Sequence, residues 1–318
     1  MTVRAVPRST HFALERLAPG VHAAIATPGG AALCNAGIVD LGGRTVVFDT
    51  TMTPASGTAL RLAARRLTGR APDLLVNSHW HGDHIWGNDA LGGTVVSTAI
   101  TRRHVLRRSR RQFDAWHAAF PGELAKLNRT GGPRLTPADR AVWRGWLEGF
   151  LATPRRMPIV APHLTFEAGL TLSGSRRRLE LGSLGGGHSP SDVFGFLPDE
   201  RIVFAGDLVV VGLHPSVGDG WPDRWGRILD RIARLRPGTV VPGHGPIAPG
   251  RAVADVAAYL RDLDRRAEAE LRAGTPRRRL GSLAVPPRYA RWGFAFMYGA
   301  NLARAYGLRA ATARSTAR

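Results

Sequence analysis

The chain has 318 residues, of which 44% are hydrophobic, so it is long enough to bury a core as one large domain or two small ones. This composition excludes disorder as the main state. The 44 Lys and Arg against 24 Asp and Glu give a net charge of +20, but the arginines occur singly or in short clusters between apolar segments, which favours a solvated surface over a nucleic-acid interface.

Residues 1–17 interleave charged with apolar residues, which leaves no apolar run of the kind found in a secretory signal. No stretch approaches the roughly 18 uninterrupted apolar residues of a membrane span. Cys34 is the only cysteine, so neither an intrachain disulfide nor a cysteine-based metal cage can form. We therefore expect a cytoplasmic protein without a membrane partner, in which histidine and carboxylate hold any metal.

Short apolar runs that end at Gly, Pro, Asn or Asp alternate with longer stretches of helical period, a pattern typical of layered α/β structure. Strands are predicted at 46–48, 74–76, 193–197, 202–205 and 240–241. Helices are predicted at 54–67, in a separate block at about 100–153, and at 223–235, 252–271 and 288–308.

The helical block is rich in aromatic residues. Its second half opens with Thr136 as N-cap, Pro137 in the first turn and Asp139 three residues on, a signature of a helix start. Four aromatic side chains at helical spacing either wall an apolar pocket or only join the helices of the block to each other: Trp116, Trp143, Trp146 and Phe150.

The strand predicted at 74–76 runs into a turn, not a helix, that reads His-Trp-His-Gly-Asp-His from residue 79 to 84. Three imidazoles and one carboxylate within six residues are ligands suited to borderline metals such as zinc. A polar surface loop is the alternative for this motif taken alone.

Three other strand ends supply the same ligand types, each beside a glycine that lets backbone come close: His188, Asp207 and His244. A single histidine after a strand is more often a hydrogen-bonded structural residue. Four matched segments in this order together indicate a metal centre.

This ordered set, with Asp49 after an apolar strand, resembles the metallo-β-lactamase superfamily over about residues 21–246. The resemblance implies a four-layer αββα sandwich. We expect a single domain over 1–318, with a helical insertion at 100–160 that acts as a lid and a C-terminal helical extension at 280–318.

The resemblance also implies two divalent metal ions, for which zinc is expected. One would be held by His79, His81 and His188, and the other by Asp83, His84 and His244, with Asp207 bridging the two. Asp49 would orient the histidines from outside the ligand set, unless it only caps its strand.

This ligand set leaves open positions on both ions, so a water between them can lose its proton as its pKa falls from 15.7 toward ~7. The expected nucleophile is that metal-bridging hydroxide. Asp83 is the predicted catalytic residue, which accepts or passes on the proton. The predicted function is dinuclear metal-dependent hydrolysis of an ester, lactone or thioester of a small molecule.

By resemblance, Asp at the bridging position is typical of thioesterases, lactonases, sulfatases and phosphodiesterases, whereas the antibiotic-degrading members carry Cys or Ser there. A true β-lactamase is therefore not expected. Substrate contacts are predicted at Trp86, just past the histidine motif, and at His214 and Trp221, in the loop after Asp207. Core packing is the alternative for Trp86, and a simple Gly- and Pro-rich turn is the alternative for the loop.

Two other activities fit the same ligands. The first is hydrolysis of phosphodiesters or nucleic acid, which the positive charge favours. The second is oxygen chemistry on a persulfide, with one iron at the positions of His79, His81 and Asp207. We take the partner to be a small-molecule substrate and consider nucleic acid the less favoured reading.

Overall fold

A computed structural model describes residues 9–132 and 135–316 of the chain. Residues 1–8, on which part of the argument against a secretory signal rests, lie outside the described residues. Within the described part, none of the helices has the length and hydropathy needed to cross a lipid bilayer.

In the part of the chain that the structure describes, the first sheet has seven strands that lie side by side in chain order. They are β1 Phe12–Ala18, β2 Val21–Ala26, β3 Ala36–Asp40, β4 Thr45–Phe48, β5 Leu74–Val76, β6 Thr94–Thr98 and β7 Leu164–Phe166. Pairing is antiparallel from β1 to β4 and parallel from β4 to β7. The short β4 and β5 are buried on both faces, as is usual for parallel strands between two layers.

The second sheet, again within the described residues, has six strands in the order β13-β12-β11-β10-β9-β8. They are β8 Gly169–Ser173, β9 Arg178–Ser183, β10 Val193–Leu197, β11 Ile202–Phe204, β12 Thr239–Val241 and β13 Ala248–Pro249. Among the described strands of this sheet, β11 and β12 alone pair in parallel.

The two sheets pack face to face over a shared apolar core. Phe48 of β4 stacks on Phe204 of β11 with ring centroids 5.7 Å apart. Gly37 is required beneath that pair, because a Cβ there would lie 2.4 Å from the Phe204 ring. This interface brings the ends of β4, β5, β11 and β12 to one edge of the sandwich.

Helices cover both outer faces. They are α1 Pro54–Thr68, α2 Gly82–Ile85, α3 Asn88–Leu91, α4 Ala99–His104, α5 Arg110–Thr130, α6 Pro137–Leu151, α7 Pro222–Arg234, α8 Ala252–Arg272 and α9 Met297–Thr316. Leu60 of α1 packs on the first sheet, and Trp225 of α7 and Tyr259 of α8 pack on the second. The four-layer αββα architecture is therefore confirmed, together with the helical insertion and the C-terminal helix.

The insertion is built from α4, α5 and α6. A π-helical turn, Val105–Ser109, joins α4 to α5, and Thr136 caps α6 through the predicted reciprocal bonds with Asp139. The insertion's aromatic rings contact each other, with centroids 4.4 Å apart for Trp143 and Trp146. These rings join the helices, and the role of the insertion as a lid stays a prediction.

The predicted strands agree with the observed ones to within one residue at each end. The tail helix was expected from residue 288, but a 3₁₀ turn at Pro287–Tyr289 and the left-handed Phe294 (φ 56°) delay α9 until Met297. The motif at 79–84 is also not wholly a turn, because Asp83 and His84 lie on the one-turn helix α2.

Candidate metal centre

All seven predicted ligands meet at the edge where β4, β5, β11 and β12 end. They come from separate loops because parallel strands deliver the residues that follow them to the same side of a sheet. The set is buried or half-buried and consists of His79, His81, Asp83, His84, His188, Asp207 and His244. The structure thus brings together what the sequence spreads over 166 residues, counting from residue 79 to 244.

The first cluster consists of His79, His81, His188 and Asp207, whose donor atoms all lie within 4.8 Å of one another. Nδ1 of His81 is 3.1 Å from Nε2 of His188. Nε2 of His188 is 3.3 Å from Oδ2 of Asp207. Three imidazoles and a carboxylate are a donor set suited to a four-coordinate divalent cation.

The second cluster consists of Asp83, His84 and His244, again with donor atoms within 4.8 Å of one another. Oδ2 of Asp83 is 3.4 Å from Nε2 of His84 and 3.3 Å from Nε2 of His244. These three residues provide two imidazole nitrogens and a carboxylate, a donor set that also suits a divalent cation.

Asp207 joins the two clusters. Its Oδ2 faces His188 in the first cluster, while its Oδ1 lies 3.2 Å from Nε2 of His84 and 3.3 Å from Nε2 of His244 in the second. One carboxylate therefore presents one oxygen to each cluster, which is the arrangement needed to bridge two cations.

Each of the five histidines turns its other ring nitrogen to an oxygen outside the clusters. His79 pairs with Oγ of Ser78 (2.9 Å), His81 with Oδ2 of Asp219 (3.0 Å), His84 with Oδ2 of Asp49 (2.8 Å), His188 with the carbonyl of Ser216 (3.0 Å) and His244 with the carbonyl of Leu33 (3.1 Å). Such bonds fix the ring orientation and keep the proton on the outer nitrogen, so the inner one can ligate.

Asp49 lies where its predicted role requires. Its Oδ1 accepts the N–H of Ser78 at 2.7 Å, and its Oδ2 accepts the hydroxyl of Ser78 and the Nδ1–H of His84, both at 2.8 Å. It therefore orients His84 directly and His79 through Ser78. Its left-handed backbone (φ 59°) is one that Asp tolerates better than most residues.

The electrostatics of the edge favour ionised carboxylates. Burial alone would raise the pKa of Asp83 and of Asp207, but the neighbouring imidazoles hold both well below their ordinary range. Burial also opposes charge on His244, yet Asp207 and Asp83 raise its pKa to about 10. His188, by contrast, has its pKa lowered to about 4 by burial.

Three buried polar atoms at the centre of this arrangement have no hydrogen-bond partner: Nε2 of His79, Nε2 of His84 and Oδ1 of Asp207. Buried polar groups are almost always satisfied, and converging imidazole and carboxylate donors of this kind suit a divalent cation. The residues present therefore fit two divalent ions, and metal binding by the seven predicted ligands stays a prediction.

Trp86, predicted to contact substrate, does not line the metal centre in the structure. The Trp86 side chain is buried, its ring packs edge-on against Phe113 at 5.2 Å, and its Nε1–H donates to Oγ of Ser109 at 2.9 Å. Gly82 lies against its indole, where a Cβ would come within 2.3 Å. This corrects the prediction: Trp86 anchors α2 to the core of the insertion.

His214 is likewise buried away from the clusters. Its Nδ1 is 3.1 Å from the hydroxyl of Tyr259, and its Nε2–H donates to the carbonyl of Tyr289 at 3.1 Å. Both nitrogens are used in packing, so the prediction of a substrate contact is wrong here as well. The loop that carries His214 packs into the apolar core that it shares with the C-terminal helices.

Trp221 is half-buried at the start of α7. Its N–H donates to the carbonyl of Gly187 at 2.9 Å, and its ring lies beneath the guanidinium groups of Arg224 (5.5 Å) and Arg304 (5.9 Å). A contact between Trp221 and substrate remains a prediction.

The sequence did not point to the segment at 33–35, which supports the centre from behind. Asn35 donates to the carbonyls of Pro242 and Gly245 at 2.9 and 2.8 Å, and so holds the loop that carries His244. Cys34 is buried beside His84, and burial raises the pKa of its thiol to about 12. No motif signals this segment, since its contacts are made by backbone and by one amide.

The comparisons with known proteins agree with this geometry. The family model described as the metallo-beta-lactamase superfamily matches residues 29–244, from the segment before β3 to the last histidine of the centre. The chain is 30% identical over 135 residues to the metallo-beta-lactamase type 2 of Bacteroides fragilis. That match covers 41% of this chain and spans half the length of the Bacteroides protein.

Solved structures show the same fold at low identity. A metallo-beta-lactamase from Pontibacter korlensis matches with a TM-score of 0.57 and 19% identity, over 79% of this chain and 99% of the other. The stereoselective inverting sec-alkylsulfatase Pisa1 from Pseudomonas sp. matches with a TM-score of 0.68 and 17% identity, over 93% of this chain and 50% of the other.

Proposed function

The chain belongs to the metallo-beta-lactamase superfamily, with the fold and the His and Asp clusters of its metal-dependent hydrolases, and we propose that it hydrolyses an ester, lactone or thioester of a small molecule with two divalent cations. Zinc is the proposed metal, because imidazole and carboxylate donors in groups of three and four suit it.

The observation that carries this proposal is the division of Asp207 between two clusters of converging donors. Its two oxygens lie 3.2 to 3.3 Å from imidazole nitrogens on opposite sides. When bound, divalent cations lower the pKa of a coordinated water toward ~7 and polarise the oxygen of an acyl group. No Ser or Cys nucleophile is needed for hydrolysis at such a centre.

The chain's own contribution to proton transfer is Asp83. Its Oδ2 faces His84 and His244, and the low pKa set by these imidazoles keeps it a carboxylate. Its side chain is 12% exposed, unlike the fully enclosed His84. Asp83 is thus the carboxylate placed to take a proton from a water at the clusters and return it to the leaving group.

Metal analysis of the purified chain tests the donor set. We expect about two metal ions per chain in the wild type, as the seven donors imply. We expect fewer in His81→Ala, and no loss in His163→Ala, which removes an exposed histidine elsewhere. Well under one ion per chain in both the wild type and the His163 variant would overturn the proposal.

A substrate panel on the metal-loaded protein tests the reaction. Turnover of lactones, esters or thioesters above that of phosphodiesters would support the proposal, and preferred cleavage of phosphodiesters would replace it with the phosphodiesterase alternative. A β-lactam belongs in the panel because the Bacteroides relative carries that name. Turnover of a persulfide that depends on oxygen would favour the iron dioxygenase instead.

We further propose a cytoplasmic enzyme whose partner is its small substrate. The single cysteine supports a reducing compartment, and the scattered arginines support a solvated surface over one that binds nucleic acid. Fractionation of cells that express the native chain tests the location, and recovery in a membrane or extracellular fraction would contradict it.

A further inference from the structure

A groove of about 430 Å³ runs along α7, beside the metal centre. We name it the arginine groove. Its wall on one side is the loop before His188, and its wall on the other is one face of α7. The lining residues are Leu184, Gly185, Gly186, Arg224, Arg227, Ile228 and Arg231.

Three guanidinium groups share the helical wall because positions 224, 227 and 231 repeat at three and four residues. The only ion pair that the described residues give this set is the exposed contact of Arg227 with Asp223 at 3.4 Å. Exposed pairs of this kind are weak. Arg224 and Arg231 have no acidic partner within the described part of the chain, so the groove carries uncompensated positive charge.

The opposite wall offers backbone donors. Gly185 has a left-handed backbone (φ 90°), and its carbonyl accepts the N–H of Asp192 at 3.2 Å. Neither the N–H of Gly185 nor that of Gly186 donates to an acceptor within residues 9–132 and 135–316. Free backbone N–H groups on a glycine turn are a recurrent way to bind anions.

Both walls of the arginine groove lie next to His188 of the metal centre. The loop wall leads through Gly187 to His188, and Trp225, next to Arg224, packs against the His188 ring with centroids 5.3 Å apart. A Cβ on Gly187 would lie 3.0 Å from Ile228, so the walls are in direct contact at this point. On the loop side the groove thus ends at Gly186, two residues before His188, and on the helix side it reaches His188 only through Trp225.

We propose that the arginine groove binds a phosphate or diphosphate group of a small molecule, carried by the substrate on the side remote from the bond that is cleaved. Guanidinium groups bind phosphate oxygens in pairs and with fixed geometry. Exposed Leu184 supplies an apolar surface for the part of the molecule next to the phosphate. The anion site is inferred from the residues that line the groove, whereas its assignment to the substrate rests on the proposed function.

The size of the groove favours a small molecule over a polynucleotide. Arg224 and Arg231 are seven residues apart on α7, about 10 Å along the helix axis. That length spans one diphosphate, whereas nucleic-acid binding draws its affinity from many successive phosphates. A volume of about 430 Å³ is within the range of small-molecule sites.

Binding of inorganic pyrophosphate to the metal-loaded protein tests the anion site. Pyrophosphate also ligates zinc. The informative quantity is therefore the difference in its Kd between two double variants that both keep the metal centre intact. R224A/R231A removes the groove cations, and R234A/R261A removes two exposed arginines outside it. At about 0.15 M salt we expect calorimetry to show at least about a tenfold rise in Kd for the first variant and under about twofold for the second.

Equal changes in both variants would mean a general charge effect and would overturn the site, as would no change in either. The single variants R224A and R231A, each with its thermal unfolding midpoint, guard against a folding defect as the cause. Tight binding of a single-stranded oligonucleotide that displaces pyrophosphate at the same salt would overturn the small-molecule assignment.

A matched substrate pair tests the link to catalysis. An acyl-coenzyme A ester carries phosphates on the side remote from the thioester, and the same acyl group on pantetheine lacks them. We expect the wild type to prefer the first by at least about tenfold in kcat/KM, mainly through KM, and R224A/R231A to lose most of this ratio.

The failure of this inference differs from a failure of the proposed function. Equal hydrolysis of both thioesters by the wild type keeps the function and overturns the phosphate assignment. Hydrolysis of neither, with pyrophosphate still bound in the arginine groove, keeps the anion site and overturns its link to the substrate.

Discussion

Oδ2 of Asp219 accepts the Nε2–H of His81 at 3.0 Å, and this single bond determines which nitrogen of His81 faces the first cluster. Asp219 lies in the loop before α7. The C-terminal helix α9 holds this loop in place. Asn301 of α9 donates to the carbonyl of Pro215 at 2.7 Å and accepts the N–H of Val217 at 3.1 Å. The tail of the chain thus supports the metal centre through a loop that contains none of the seven predicted metal ligands.

The first prediction concerns this bond. Asp219→Ala frees the His81 ring and is expected to weaken metal affinity by about 10- to 100-fold, whereas Asp219→Asn keeps an acceptor and loses less. Equilibrium competition with a chelator measures the affinity. Asp223→Ala, an exposed carboxylate four residues away, is the control, and equal affinities for the two alanine variants would contradict a positioning role for Asp219.

The second prediction concerns Asp49. Asp49→Ala leaves the N–H and hydroxyl of Ser78 and the Nδ1–H of His84 without their acceptor, all of them buried. We expect the free energy of unfolding to fall by about 3 kcal/mol or more. Asp49→Asn retains one acceptor and tolerates the left-handed backbone, so it should lose less.

Urea unfolding with a chelator present measures this loss without any contribution from bound metal. Asp114→Ala serves as the control because Asp114 is exposed and makes only a surface pair with Arg110 at 3.7 Å, worth under about 1 kcal/mol. A similar loss in the two alanine variants would show that the Asp49 network contributes nothing specific.

The third prediction concerns the glycine beside the shared carboxylate. A Cβ on Gly243 would lie 2.0 Å from Oδ1 of Asp207, so Gly243→Ala must displace that carboxylate. We expect about 1–3 kcal/mol of destabilisation and the loss of one of two bound ions per chain. Gly226→Ala on α7 meets no atom within 4 Å and is expected to stabilise by up to about 1 kcal/mol through helix propensity.

Thermal unfolding and metal content together check this pair of glycine variants. If Gly243→Ala retained two ions, the close approach of backbone to Asp207 would have no role in the centre, and the structure's placement of that carboxylate would be wrong.

The predicted ligand set was accessible from sequence because its segments follow short apolar strands and contain glycine, both of which are local signals. His188 and His244 are examples: each stands in a Gly-His context after a strand, and each reaches its cluster. Their outer partners were not accessible, since the carbonyls of Ser216 and Leu33 belong to no particular side chain. Only the folded chain shows which backbone passes behind each ring.

The predictions for Trp86 and for the first residue of the tail helix were wrong for a different reason. A tryptophan next to a metal motif has the same hydrophobicity whether it walls a pocket or fills a core, and only the close packing of Gly82 against Trp86 decides between the two. The start of α9 depends on the left-handed Phe294, which the apolar pattern of the tail does not reveal. The local sequence pattern therefore predicted the metal ligands better than it predicted the packing around them.

The final prediction is a pH dependence that involves no metal ligand. Burial lowers the pKa of His214 below its ordinary 6.5, although the carbonyl of Tyr289 partly offsets this. The folded chain therefore favours neutral His214, while the unfolded chain takes up a proton near pH 6.5. The stability that His214 contributes is complete above pH 6.5 and is lost as the pH falls from there toward its folded-state pKa.

His214→Gln cannot titrate, so its deficit in unfolding free energy relative to the wild type should be larger at pH 8 than at pH 5. Urea unfolding of both proteins with a chelator at both pH values measures this deficit, and the other buried histidines cancel because both proteins share them. A deficit that stays constant from pH 8 to pH 5 would show that His214 is not held neutral by the C-terminal layer.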